Sequence, residues 1–186
     1  MPDPIEIRLP ASREALAGLR AGDAVLLSGP VYTARDATHA RIVEELERDG
    51  VLPYGLAGQT IFYAGPTPAA AGRPVGSVGP TTARRMDAFT PRLLAAGVVA
   101  TIGKGARSDE VRRACAATGS VYFAAVGGAA ALLAKQVVTV EPVAYAELGP
   151  EALVRMELDA FPVFVAIDRC GGDLYQRSVV EWSQEG

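Results

Sequence analysis

An α/β fold is predicted by three features of this chain. Apolar residues recur at every second position in some stretches and at every third or fourth in others, and the two periods alternate along the sequence. Several longer-period runs open on Ser, Thr or Asp and close on Gly, as capped helices do. Three strand-to-loop junctions set a cation or hydroxyl beside a small residue: Thr33-Ala34-Arg35, residues 81–85, and Gly103-Lys104-Gly105. With 186 residues, 49% hydrophobic and 21% charged, residues 1–186 read as a single domain able to bury a core without disulfides or metal.

Ile5, Ile7 and Leu9 alternate as in a half-buried strand, and residues 24–27 form an apolar strand after the turn-like Ala21-Gly22-Asp23. Thr33, with Asp36 three residues on, has the form of a capping box. His39, Ile42, Val43 and Leu46 then repeat at helical spacing until Asp49-Gly50 ends the helix. Residues 61–64 are a strand emptying into the rigid loop Gly65-Pro66-Thr67-Pro68, and the Ala-, Gly- and Pro-rich segment up to Gly76 is loop. Thr90-Pro91 starts a helix that Gly97 closes. Residues 98–102 are a buried strand, Ser108-Asp109-Glu110 cap a helix ending near Thr118-Gly119, and 120–125 are a strand. Gly127-Gly128 open an Ala-rich helix to Lys135, 137–140 are a strand, and 151–158 are a short helix after Gly149-Pro150. Strands at 163–167 and 174–179 are joined by the Gly171-Gly172 turn.

The net charge of -3 gives no global attraction to nucleic acid, so any anion site is local. The longest apolar stretch, 121–134, is interrupted by Gly127 and Gly128 and falls short of the ~20 residues that span a bilayer. Charges at Asp3 and Glu6 break any leader-like apolar run, and a cytoplasmic location is expected. Cys115 and Cys170 match neither a zinc pair nor an iron-sulfur run, so no metal site is expected on this chain. Cys115 lies on an apolar helical face; Cys170 sits in a turn.

The run GSVGPTTARRMD at 76–87 carries the strongest chemical signal. Glycines such as Gly79 let main chain approach a ligand, Thr81 and Thr82 offer adjacent hydroxyls, and Arg84 and Arg85 are forks for carboxylate or phosphate. A helix starting near Thr81 would add free amides and a favourable dipole. In an α/β sheet, loops at successive strand ends converge, so Arg35, Arg85 and Lys104 are expected to form one pocket of three positive charges, suited to a small dianion. No Walker loop or dinucleotide fingerprint is present.

These segments in order strongly resemble the C-terminal domain of class I, iron-sulfur dependent fumarases, and equally the β subunit of two-subunit fumarases and L-tartrate dehydratases. The resemblance rests on LLSGPVYTARDATH at 26–39, IFYAGPTP at 61–68, GSVGPTTARRMD at 76–87, IGKG at 102–105, VGGAAALLA at 126–134, LGPEA at 148–152 and FPVFVAID at 161–168. It implies a swivelling β/β/α type domain with mixed sheet and flanking helices rather than a simple doubly wound sheet. It also implies a partner, an N-terminal domain or α subunit whose cysteines hold a [4Fe-4S] cluster; this chain would bind no cofactor itself. A homo-oligomer of the separate chain is a further expectation, through the surface such a partner would cover.

The implied chemistry is reversible hydration of a C4 dicarboxylate, fumarate to malate, or dehydration of tartrate to oxaloacetate. By resemblance, Arg35, Arg85 and Lys104 would neutralise carboxylates and Thr81 would be the proton-transfer group. Gly79 and Thr82 are further candidate substrate contacts. Asp36 and His39 are candidate catalytic groups through the RDxxH spacing; each also has a plain reading, as a helix-start residue and a packed side chain. Arg84 replaces a small residue of the family pattern and is expected to face solvent. A non-catalytic anion-binding module would present the same pocket.

Overall fold

The computed structural model describes residues 3–69, 72–126, 128 and 130–177. Five strands run parallel: β1 (Ile5–Arg8), β2 (Ala24–Thr33), β3 (Thr60–Phe62), β4 (Ala100–Gly103) and β5 (Val121–Ala124), each paired with the next. Two more, β6 (Val137–Ala144) and β7 (Leu153–Ile167), are antiparallel to each other. The 15-residue β7 decides the architecture. It pairs with β2 from Ala24↔Phe164 to Thr33↔Val154, and also with β6 and then β5. Because β2 already leads through β3 and β4 to β5, the pairing closes into a ring, β2-β3-β4-β5-β7. The fold is thus α/β with a mixed sheet and flanking helices, closed rather than doubly wound.

Closure follows from the alternation of the side chains. Val25, Leu27, Phe62, Ile102, Phe123 and Phe161 belong to one buried cluster. The rings of Phe62 and Phe161 lie 5.4 Å apart although β3 and β7 are not neighbours, so they meet across the ring's interior. The intervening residues Ile61, Tyr63, Tyr122 and Ala124 belong to a second cluster. That layer is completed by α1 (Asp36–Asp49), α2 (Thr90–Ala96) and α3 (Asp109–Thr118). A short helix, α4 (Ala130–Leu133), adds Leu133 to the interior cluster.

Several expectations change. Residues 151–158 are not a helix: Val154, Met156 and Leu158 point inward while Arg155 and Glu157 are less buried, which is strand alternation overriding the helix-favouring composition. A 3-10 helix, Ala146–Glu151, precedes the strand. Residues 174–177 form a helical turn, not a strand, because the Asp173 carboxylate accepts hydrogen bonds from the amides of Tyr175 and Gln176; 178–179 lie outside the described residues. The Thr33 capping box does not form. Thr33 is the last residue of β2 and Arg35 holds the N-cap position with no side-chain cap. Nor does a helix start at Thr81, whose amide bonds to the Tyr63 carbonyl at 2.7 Å; a four-residue 3-10 turn, Ala83–Met86, follows instead. Ser108 does cap α3, and Gly50 and Gly119 end α1 and α3 in the left-handed conformation at φ 73° and 71°.

Candidate functional site

The C-terminal ends of β2, β3 and β4 lie on one rim of the ring, because these strands are parallel. β3 and β4 separate there, and the run at 80–83 enters between them. Pro80 bridges to Ala64, Thr81 N–H donates to the Tyr63 carbonyl, and Lys104 N–H donates to the Thr81 carbonyl at 3.1 Å. Ala83 N–H donates in turn to the Lys104 carbonyl at 2.8 Å. Gly103 permits this approach: a Cβ would stand 2.8 Å from Tyr63 Cδ2 and 2.9 Å from Ala83 Cβ. On the other side, Ala34 N–H donates to the Phe62 carbonyl. Ala34, β3, Thr81 and Lys104 are therefore successive neighbours, about 14 Å across in all at one strand spacing per step.

Arg35, Asp36 and Arg85 form a second group on this rim. Arg85 Nε donates to Asp36 Oδ1 at 3.0 Å, and its Nη2 lies 2.9 Å from Oδ2 in an ion-pair contact. Arg35 Nη2 lies 3.3 Å from Glu151 Oε1. Its side chain also packs on Gly65, where a Cβ would be 3.2 Å from both Cδ and Nη1 of Arg35. The expected pocket of three positive charges is thereby corrected: Asp36 and Glu151 offset two of them, and the cluster carries one net positive charge. Lys104 has no ion-pair partner among the described residues. Arg84 turns elsewhere, into a cleft of about 300 Å³ with Asp87, Ala88, Ser108 and Glu110. Thr81 is half-buried and Thr82 exposed on the rim, whereas Gly79 packs against Ala130, its would-be Cβ 2.9 Å from that methyl.

His39 lies beneath the rim rather than on it. It is fully buried, edge-on to Tyr63 with ring centroids 5.2 Å apart, and Nδ1 donates to the Arg35 carbonyl at 2.8 Å. Nε2 is buried with no hydrogen-bond partner among the described residues. Burial, with the charge of Arg107 adding to it, pushes its pKa down to about 4, so the ring is neutral at pH 7. As placed, it holds the main chain of Arg35.

Two residues that sequence reasoning did not single out complete the arrangement. Arg107 is wholly buried: Nε donates to Asp87 Oδ1 at 2.6 Å, Nη2 to Thr90 Oγ1 at 2.7 Å, and the guanidinium lies over Tyr63 and Tyr122 at 5.1 and 4.7 Å. The other Asp87 oxygen accepts from Ser108 N–H. This network joins the 76–87 run to the start of α3. Its sequence signal was Asp87, an acid in a run otherwise suited to anions. The second residue is Glu151, whose partners lie more than a hundred positions away.

A cleft of about 360 Å³ adjoins the rim beyond Gly65, lined by Pro66, Thr67, Pro68, Val75, Val140 and Pro150 among others. Among the described residues no three His, Cys, Asp or Glu side chains are grouped to hold a metal. Cys115 is buried, its thiol pushed up to about 12 by desolvation, and Cys170 is exposed. None of the described helices is long and apolar enough to cross a membrane.

A mixed-sheet ring with flanking helices, with cations and hydroxyls on one rim, defines the class as an α/β protein. Residues 3–178 match the family model described as Fumarase C-terminus, and the chain belongs to that family. It is 41% identical over 155 residues to "Fumarate hydratase class I, anaerobic" of Escherichia coli K12, a match covering 82% of this chain and 28% of that protein. It is 38% identical over 169 residues to "Fumarate hydratase 2" of Leishmania major, covering 90% of this chain and 30% of the relative. With "L(+)-tartrate dehydratase subunit beta" of Escherichia coli K12 it shares 36% identity over 170 residues, covering 89% of this chain and 83% of the other. The chain thus spans less than a third of the two fumarate hydratases and most of the tartrate dehydratase subunit.

Proposed function

We propose that this chain supplies the carboxylate-binding half of a cytoplasmic hydro-lyase that interconverts fumarate and malate. The observation that supports the reading is that the main-chain segments carrying Arg35, Thr81, Thr82, Arg85 and Lys104 follow one another along one rim in a member of this family. Arg35 and Arg85 would grip the substrate carboxylates through donors left over from Glu151 and Asp36. Lys104 would face the charge that builds up beside a carboxylate as the carbon-bound proton moves, and Thr81 would relay that proton. A threonine hydroxyl is a weak base, so its function depends on these neighbouring cations and on groups from the partner.

The two cysteines do not fit an iron-sulfur cluster, one being buried on α3 and the other in an exposed turn. In this reading the cluster is held by a partner, an N-terminal domain or α subunit. The single net positive charge on the rim supports the same division, since a dianion held by one net charge in solvent is held weakly. A second reading, dehydration of L-tartrate, is supported by the 36% identity to a tartrate dehydratase β subunit over 89% of this chain.

The test is anaerobic co-expression with candidate α subunits, followed by assay of the purified complex on fumarate, malate and both tartrates. The reading expects an iron-containing complex with turnover on fumarate and malate. Turnover on a tartrate alone would replace it with the second reading. Failure of every candidate to bind or turn over would reduce the chain to an anion-binding module.

A further inference from the structure

The start of α1 is built in an unusual way. Arg35 occupies the N-cap with extended backbone, φ -118° and ψ -162°, and no side chain of its own segment caps the helix. The missing cap comes from Glu151, 114 positions away. Its Oε2 accepts from Ala37 N–H at 2.9 Å, its Oε1 lies 3.3 Å from Arg35 Nη2, and its main-chain carbonyl accepts from the Thr38 hydroxyl. One residue therefore fixes both the backbone that carries Arg35 and the end of its side chain. Gly65 closes the other side: a Cβ there would be 2.9 Å from the Pro150 carbonyl and 3.2 Å from Arg35 Nη1, so the segment at 150–151, Arg35 and Gly65 interlock. A carboxylate at a helix N-terminus is also favoured by the helix dipole, which explains why an acid and not an amide stands there.

We propose that Glu151 is a positioning residue, acting through Arg35 to present its remaining guanidinium donors to a carboxylate on the rim. This rests on the function proposed above. Glu151 and Arg35 are each about three-quarters buried at the side chain, 24% and 25% exposed, which sets the pair apart from open surface ion pairs that contribute little. The flexible arginine side chain would otherwise sample several rotamers, and a displacement of about 1 Å in a positioning group is enough to lower turnover strongly.

The experiment uses Glu151→Gln, which keeps an oxygen to cap Ala37 and removes the charge that holds Arg35, with Glu151→Asp as the conservative control. In the isolated chain, ¹⁵N relaxation of the Arg35 side-chain Nε–H should report an ordered group in the parent and a mobile one in Glu151→Gln, with the dispersed backbone spectrum retained. An Arg35 signal equally ordered in both would overturn the proposal. In the assembled, active complex, Glu151→Gln should lower kcat/KM on the dicarboxylate roughly tenfold, partly restored by Glu151→Asp, and should have no further effect in an Arg35→Ala background. The same loss in both backgrounds means that Glu151 does not act through Arg35 and sinks the idea. Should Arg35→Ala itself leave the kinetics unchanged, the shared-site reading fails, and the relaxation measurement alone decides whether Glu151 orders Arg35.

Discussion

The inside of the strand ring and the layer between the ring and its helices are both buried, yet they are built of different chemistry. Inside, Leu27, Phe62, Ile102, Phe123 and Phe161 fill the space with apolar atoms. Between ring and helices, Arg107, His39 and Thr90 are buried alongside Tyr63 and Tyr122, joined by hydrogen bonds and cation-π contacts. Apolar packing tolerates small shifts, whereas a buried polar network has few satisfied arrangements. The polar layer lies under the rim that carries Arg35, Thr81 and Lys104, and it is tied to that rim through His39 Nδ1 on the Arg35 carbonyl and through the Tyr63 carbonyl on the Thr81 amide.

The largest effect that tests this contrast is on Arg107. Arg107→Ala leaves the Asp87 carboxylate without its buried partner and should lower stability by about 3 to 5 kcal/mol, read from urea unfolding. A loss below about 1 kcal/mol would mean that the pair does not hold the layer together.

His39 gives the contrast a pH signature. The unfolded chain takes up its histidine proton near pH 6.5 and the folded chain only near 4, so the unfolded state binds more protons between these values. Stability owed to His39 is constant above pH 6.5 and declines as the pH falls toward 4, by about 3 kcal/mol in all. Unfolding curves of the parent and of His39→Phe between pH 7 and 4 should diverge by that amount; parallel curves would show that the imidazole is not buried in the neutral form.

The interior should behave in the opposite way. Ile102→Val removes one methyl from the ring's core and should lower stability by about 1 kcal/mol, equally at pH 7 and pH 4. A pH-dependent loss there would erase the distinction between the two layers.

Local signals made much of this molecule legible in the sequence. Ser108 before Asp109-Glu110, Gly50 and Gly119 each act within a turn of the helix that they bound, and structure and sequence agree on all of them. The anion run was legible because its glycine, threonine and arginine chemistry is contiguous. What escaped acts across long separations. The pairing of β2 with β7 joins residues more than a hundred positions apart, and nothing near Ala24 or Phe164 announces it. The segment after Pro150 reads as helix by composition, and only the demand of the ring for a fifth strand makes its alternation decisive. The apparent Thr33 capping box failed for the same reason: Thr33 was needed in β2, and the cap came from Glu151. The charge balance of the rim is not legible in the sequence, because Asp36 meets Arg85 and Glu151 meets Arg35 only through folding.

If the rim around Asp36 and Arg85 binds a substrate carboxylate, as proposed, then two adjacent arginines must differ sharply in function. Arg84 and Arg85 are both exposed in one 3-10 turn, but Arg85 turns to Asp36 on the rim and Arg84 to the cleft beside Ser108. In an active complex, Arg85→Lys should lower kcat/KM by roughly a hundredfold, a point charge replacing a fork, while Arg84→Lys stays within about twofold of the parent. Equal effects of the two substitutions would mean that the carboxylate is not bound on the Arg85 face.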